Sequence, residues 1–307
     1  MEIHQLEYLI AVAEEGGFTR AAEKLLIAQP SLSQQIKKLE QEVGQPLFDR
    51  LPRGVVLTEA GQRLLEYARR VLNELSDAKK RVRDVGDHVS GSVTVGAIPT
   101  IAPFVLPAAV QGYLRRWPGV TFTVIEDVTA HLFARLAHGE LDVAIISSSD
   151  GFPGVHVEAV ASEPLFLVVG RGHRLAKRRR VSWSDLRDEP FLVLHDMHCL
   201  AGQVLQFCEH QPVKPRIVAW GEQLNTIAAM VAAGLGVSIV PAMFRATDRS
   251  PERVYLPFAA PAPRRELCVA RSAFRYRTNA ARAFVGLLKT LLAQRRLAPP
   301  GRRGFPA

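Results

Sequence analysis

Residues 26–44 read LIAQPSLSQQIKKLEQEVG, and the way this stretch folds decides what the front of the chain is. Pro30 suits the first turn of a helix, because the N–H it lacks would have no intrahelical partner there, and Ser31 with Gln34 has the spacing of a capping box. Leu32, Ile36, Leu39 and Val43 follow at steps of four, three and four, which makes one buried helical face. Gln29, Ser31, Ser33, Gln34 and Lys37 fall toward the opposite face. These side chains fit a major groove: amides bond adenine in bidentate fashion, serine hydroxyls adapt to either role, and lysine reaches guanine or phosphate. An ordinary helical hairpin with a solvated polar face would carry the same residues, so the flanking sequence has to decide.

Upstream, Leu6, Leu9, Ile10 and Ala13 share a helical face, and Gly16-Gly17 ends that helix where positive φ is cheap. Thr19 is placed to cap a second helix, TRAAEKL, whose Ala21 and Ala22 are small enough for another helix to lie close. Downstream, LFDRLPRGVVLT (47–58) sets Arg50 and Arg53 around a Pro/Gly-bearing turn between two apolar runs, the pattern of a β-wing whose arginines meet backbone phosphates. Beyond it, Leu64, Ala68, Val71, Leu75, Ala78, Val82 and Val85 alternate steps of four and three with charges between them. That is a coiled-coil seam, and a symmetric dimer built on it brings two recognition helices to half-sites about one helical turn apart.

Composition sets the limits. A chain of 307 residues that is 48% hydrophobic buries a sizeable core and suits roughly two domains. The formal net charge of +9 suggests a polyanionic partner, yet residues 1–87 hold 13 Lys/Arg against 14 Asp/Glu, so the surplus lies elsewhere. It is concentrated in RGHRLAKRRR (171–180) and in Arg295, Arg296, Arg302 and Arg303. Three cysteines are too few for a secreted disulfide scaffold, and neither a leader pattern nor eighteen consecutive apolar residues occurs, so a cytoplasmic protein with reduced thiols and no membrane contact is expected.

From Ser92 the pattern alternates: SVTVGAI as a strand, IAPFVLPAAVQGYLRRW as a helix stopped by Pro118, VTFTVIE as a strand, TAHLFARLAHG as a helix, LDVAII as a strand. PLFLVVG, PFLVL, GVSIVPA and ELCVA read as further strands, LNTIAAMVAAG as a helix, and Tyr276 to Arg295 as a closing helix. Repeated strand-helix-strand units predict an α/β domain with a mostly parallel sheet covered on both faces. The expected organisation is a DNA-binding domain over 1–58, a dimerising linker helix over 59–88, a sensing domain of two α/β subdomains over 92–295, and a disordered tail over 296–307. In open α/β sheets ligands sit beyond the carboxyl ends of strands, and Thr100 and Thr129 stand at such junctions, where helix capping is their ordinary role.

LHDMHCLAGQVLQFC (194–208) holds two of the three cysteines. Leu200, Val204, Phe207 and Cys208 make one face of an amphipathic helix, with Cys199 in its first turn, where free N–H groups and the helix dipole favour a thiolate. Nine helical residues span about 13.5 Å, whereas disulfide Cα atoms lie about 4.4–6.8 Å apart, so joining Cys199 to Cys208 would unravel this helix. Three other readings stand beside that one. The cysteines are plain core residues, or His195, His198, Cys199, Cys208 and His210 bind a metal, or Cys199 is the nucleophile of a hydrolase.

The run AA…L…QPS.S.QI..LE…G..LF.R……LT.AG, from Ala21 to Gly61, resembles the winged helix-turn-helix of the LysR-type transcriptional regulators. The resemblance implies a dimer or dimer of dimers acting on promoter DNA, with RNA polymerase as a further partner, and a sensing region like the periplasmic binding proteins, two subdomains with a cleft between. It implies no enzyme activity, metal or cofactor. GAIPTIAPFVLP, LDVAII, HDMHCLAGQVLQFC, MVAAGLGVSIVPA and YLPFAAPAPRR are similar to the OxyR-type, peroxide-sensing branch of that family. By that similarity the chain is an activator, Cys199 the thiol that hydrogen peroxide oxidises and Cys208 its disulfide partner. Thr100, Thr129 and His198 would hold the peroxide, and Arg265 would favour the thiolate of Cys199. An Arg-Asp pair usual just after Cys-Leu is replaced here by Ala201 and Gly202. The alternative within the family is a regulator that binds a small anionic metabolite in the cleft, its cysteines structural.

Overall fold

The computed structural model describes residues 1–51, 54–86, 88–147, 151–195, 197–209 and 215–294. The chain divides into two compact units, Met1–Val85 and Gly86–Ala307. Arg53, His210, Arg295 and the 296–307 tail lie outside the described residues.

The first unit is built from α1 (Ile3–Glu15), α2 (Phe18–Leu25), α3 (Gln29–Val43), the hairpin β1 (Phe48–Leu51) and β2 (Gly54–Leu57), and α4 (Glu59–Arg83). Leu9, Val12, Ala21, Leu32, Ile36, Leu39 and Leu47 are fully enclosed between them. Gly16 closes α1 in the left-handed region at φ 62°. Thr58 begins α4 by accepting a hydrogen bond from the Gly61 N–H at 3.0 Å and donating one to the Pro46 carbonyl at 2.7 Å. Gly61 cannot be larger, because a Cβ there would stand 2.1 Å from the carbonyl oxygen of Leu47.

Three local expectations are corrected. Thr19 does not cap α2: the Phe18 ring packs edge-on against Phe48 at 5.8 Å, so the helix starts at Phe18 with Gly17 as its cap position. Ser31 does not cap α3: Pro30 stands in a first turn that opens at Gln29, after Ala28, with no side-chain cap. Val43 leaves the buried face and is 40% exposed in the final turn before Gly44.

The second unit opens with β3 (Ser92–Ala97), α5 (Ala102–Arg116), β4 (Thr121–Glu126), α6 (Thr129–His138) and β5 (Val143–Ile146). The 16-residue β6 (Val155–Gly170) follows, then β7 (Pro190–Leu194), α7 (Cys199–Glu209), β8 (Arg216–Gly221), α8 (Leu224–Ala232), β9 (Ser238–Pro241), α9 (Ala242–Thr247), β10 (Arg253–Pro257), β11 (Arg264–Ser272) and α10 (Asn279–Gln294). Two cores form. β3, α5, α6, β5, β11 and α10 enclose Val95, Leu132, Ile145, Val269 and Phe284. β7, α7, α8 and β9 enclose Phe191, Leu192, Val204, Ile227 and Val240. β6 passes from one core to the other, giving Ala161 to the first and Leu165 and Leu167 to the second.

The mostly parallel sheet is not found; the sheets are mixed. β3 pairs in parallel with β4 and β5, and β7 with β8, but β11 lies antiparallel to β5 and β6, and β6 is antiparallel to β9 and β10. β9 is reached through α8 and β10 through α9, while β10 joins β11 directly, and all three run antiparallel to β6. β8, α9, β10 and the first half of β6 are further elements, of which β8 and the start of β6 alternate in exposure residue by residue. The closing helix starts at Asn279 rather than Tyr276.

Overpacking at Gly61→Ala is expected to destabilise the full chain by about 1–3 kcal/mol. The cavity left by Leu39→Ala is expected to cost about 2–5 kcal/mol. Urea unfolding of each variant measures both.

Candidate functional site

Two sites emerge, one in each unit. On α3, Gln29, Pro30, Ser31, Gln34 and Lys37 are exposed and Ser33 is half-buried, while Leu32, Ile36 and Leu39 face inward. The first turn of α3, with no side chain on its free N–H groups, is presented with them, and helix N-termini favour phosphate. The hairpin places Arg50 on β1 opposite Val55.

The second site lies between the two cores of the sensing unit. A cleft of about 430 Å³ is lined on one side by Thr100, Phe104, Glu126 and Asp127, and on the other by His198, Glu222 and Leu224. Cys199 is the first residue of α7, half-buried, and its Sγ lies 3.0 Å from Thr129 Oγ1 at the first position of α6. Neither threonine serves as a helix cap: α5 and α6 begin after Ile101 and Val128 with no side-chain cap. The Thr100 hydroxyl instead accepts from Arg265 Nη1 at 3.0 Å, and the Thr100 carbonyl accepts from Nη2 at 3.0 Å.

Arg265 is fully enclosed and paired to an equally enclosed carboxylate, Glu163, at 2.8 Å. The other Glu163 oxygen accepts the Met243 N–H at 2.9 Å. His198 is 6% exposed; its Nε2 has no hydrogen-bond partner and stands 3.8 Å from Glu222 Oε2. Burial works to raise the Asp127 carboxyl, but hydrogen bonds from His131 and the Val128 N–H, with the charge of Arg135, outweigh it and hold the group below the usual range. The structure thus brings Cys199 to Thr129 and Arg265 to Thr100, while the Arg265 guanidinium is committed to Glu163 and Thr100.

Cys208 lies on the enclosed face of α7 with Leu200, Ala201 and Val204, and the helix runs unbroken from Cys199, with no disulfide between the two. Gln203 bonds Ser147, at the end of β5, through its carboxamide, a second polar tie from α7 to the first core's side. Cys268 sits on β11 opposite Ile146 and Ala159; burial, then the charges of Glu266 and Cys199, push its thiol up to about 12. Among the described residues no group of three or more His, Cys, Asp or Glu side chains is set to hold a metal. No helix among them is long and apolar enough to cross a membrane. Glu163, Ser147 and Gln203 were missed; the signal for Glu163 was an acid set directly before the apolar run PLFLVVG.

Residues 3–62 match the family described as bacterial regulatory helix-turn-helix protein, lysR family, and residues 86–293 match the LysR substrate binding domain. The chain belongs to the LysR family of transcriptional regulators. Within that family it is similar to peroxide-responsive members. It is 38% identical over 273 residues to the hydrogen peroxide-inducible genes activator of Pectobacterium carotovorum subsp. carotovorum, covering 88% of this chain and 89% of that one. It is 36% identical over 271 residues to the DNA-binding transcriptional dual regulator OxyR of Escherichia coli K12, covering 87% and 88%. Full-length OxyR from Pseudomonas aeruginosa, as a single-residue variant, superposes with a TM-score of 0.77 at 29% identity, over 100% of this chain and 99% of that one. CbnR in complex with its target DNA gives 0.59 at 27% identity, over 94% and 99%.

Because the Glu163–Arg265 pair is enclosed, Arg265→Met alone is expected to cost about 3–5 kcal/mol by stranding a carboxylate. Adding Glu163→Met is expected to recover most of that loss, so a denaturant series should place the double variant above the single one.

Proposed function

We propose that this chain is a promoter-binding regulator that hydrogen peroxide switches through Cys199, with Cys208 as the partner thiol. The observation that carries the reading is the placement of Cys199: first position of α7, sulfur 3.0 Å from the Thr129 hydroxyl, and next in sequence to His198, which lines the cleft and whose buried Nε2 has no hydrogen-bond partner. The thiolate attacks one peroxide oxygen, the O–O bond breaks, and hydroxide leaves and takes up a proton. The Thr129 hydroxyl and His198 supply hydrogen bonds to the peroxide, and Thr100, oriented by Arg265, supplies another. The Cys208 thiol then attacks the sulfenic sulfur, an S–S bond forms and a second water departs, so two thiols have given two electrons to one peroxide.

The cleft favours a neutral oxidant over an anionic metabolite. Glu126, Asp127 and Glu222 stand on its walls, and the nearby guanidinium of Arg265 is neutralised by Glu163. An organic anion would enter against three carboxylates. Hydrolase chemistry lacks its base, since the group that meets the Cys199 sulfur is a threonine hydroxyl rather than an imidazole. The chain accordingly acts as a cytoplasmic regulator, not an enzyme.

Disulfide formation dismantles α7, whose residues 199 and 208 are about 13.5 Å apart along the axis. Leu200 and Val204 then leave the second core, on the order of 1.5–3 kcal/mol each. A change of that size repacks the unit rather than adjusting one side chain. Dimerisation runs through α4, where Val71 and Val82 are 47% and 74% exposed in the single chain, and the α3 faces of two copies meet promoter half-sites.

Thiol-trapping mass spectrometry after one equivalent of peroxide, without air, tests the reading. A Cys199–Cys208 disulfide is expected with Cys268 still a thiol, and Cys208→Ser is expected to stop at a sulfenic acid on Cys199. Cys199 and Cys208 both remaining free, with DNA binding unchanged, would overturn it.

A further inference from the structure

The helix-turn-helix unit carries no surplus of positive charge, and the run that does, RGHRLAKRRR, belongs to the sensing unit. Of 39 Lys/Arg and 30 Asp/Glu in the chain, residues 1–87 hold 13 and 14, leaving 26 and 16 beyond them. The run forms the turn that follows β6 at Gly170, and the structure fixes that turn firmly. Leu175 is fully enclosed in the second core. His173 accepts the Leu175 N–H at 3.2 Å through one ring nitrogen and meets Glu189 at 3.1 Å with the other. Arg174 reaches Glu189 at 2.6 Å and donates to the Asp185 carbonyl at 2.9 Å, and Arg178 pairs with Asp185 at 3.0 Å. The backbone N–H of Arg171 bonds the Glu252 carbonyl, and that of Val181 bonds the Pro257 carbonyl.

Two of the cations are thus spent on anchoring the turn, and the two acids that neutralise them are used up. Arg171, Lys177, Arg179 and Arg180 are exposed, and their side chains have no hydrogen-bond or ion-pair partner among the described residues. Four unpaired cations on one rigid turn repel one another, a cost that an extended array of negative charge removes. An ordinary solvated surface would intersperse acids among them, as the sensing unit does elsewhere with Glu158–Lys289 and Arg135–Glu140.

We infer that the 171–180 turn is a second DNA contact: it binds backbone phosphates of the same duplex outside the segment that α3 reads. The inference rests on the DNA-binding reading of the front unit and is independent of the redox chemistry. Phosphate contacts position a protein without reading sequence, and each releases condensed counterions, so binding gains a steeper salt dependence with no change in base preference. A front unit that is nearly neutral leaves that electrostatic share to be supplied from elsewhere in the chain.

The test compares the full-length wild type with the triple variant K177A/R179A/R180A on two duplexes selected from a random pool by the wild type. One is trimmed to the protected core, and the other is extended by arbitrary sequence on both sides. Fluorescence anisotropy across a salt series is expected to show wild type binding the extended duplex more tightly, with the variant losing that gain. On the extended duplex the slope of log K against log salt is expected to fall by about 2.7 per protomer, from about 0.9 per phosphate contact. The trimmed duplex is expected to bind both proteins alike. An unchanged slope and affinity on the extended duplex would refute the inference. It would also be refuted if binding were unchanged while transcription with purified RNA polymerase fell, which would give the turn to an acidic protein surface. Peroxide-driven disulfide formation in the variant, measured as above, is expected to match wild type, which separates loss of the patch from loss of the fold or of the sensor.

Discussion

A guanidinium and a carboxylate with no access to water hold the sensing unit together. Arg265 on β11 and Glu163 on β6 face each other at 2.8 Å with side chains fully enclosed. Their remaining hydrogen-bonding capacity goes to the hydroxyl and carbonyl of Thr100 ahead of α5 and to the backbone of Met243 on α9. Two charges taken out of water in this way are costly unless they are paired and hydrogen-bonded, and here all three guanidinium nitrogens and both carboxylate oxygens find a partner. The pair fixes the crossing of β6 and β11 in the same stroke as it fixes one wall of the cleft. A pair that satisfies itself in this way also withdraws its positive charge from any ligand in the cleft beside it.

Around that crossing the chain separates sensing from recognition by burial. α3 keeps its apolar residues inward and Gln29, Ser31, Gln34 and Lys37 outward, so the front unit can be stable and still offer exposed polar groups. In the sensing unit the corresponding offering is smaller: one half-buried sulfur and one imidazole nitrogen without a partner. Both lie at the starts or approaches of helices, where backbone N–H groups are free.

Much of this was legible in the sequence because it rests on short-range rules. The spacing Leu32, Ile36, Leu39 locates α3, Gly16 ends α1, and the heptad spacing locates α4. The amphipathic pattern Leu200, Val204, Cys208 placed the cysteines on one helix with only the second fully enclosed. What stayed hidden was set by long-range contact. Thr19 looked like a cap until Phe18 found Phe48, thirty positions away. Thr100 and Thr129 looked like caps as well, and their hydroxyls go to residues 165 and 70 positions further on. The antiparallel return of β11 leaves no periodicity of its own, because an enclosed strand is apolar whichever way its neighbour runs. Glu163 was visible only as an acid at the edge of an apolar run, whose partner the sequence does not name.

The Gln203 carboxamide, bonded to Ser147 just after β5, bears on how the proposed cycle ends. Reducing the disulfide restores two thiols at once, but it does not restore the resting protein. For that, α7 has to rewind, Leu200 and Val204 have to re-enter their core, and Gln203 has to find Ser147 again. In that cycle the persistence of the signal after the oxidant has gone would be governed by a refolding event in α7, a brief memory that the sulfur chemistry alone would not provide.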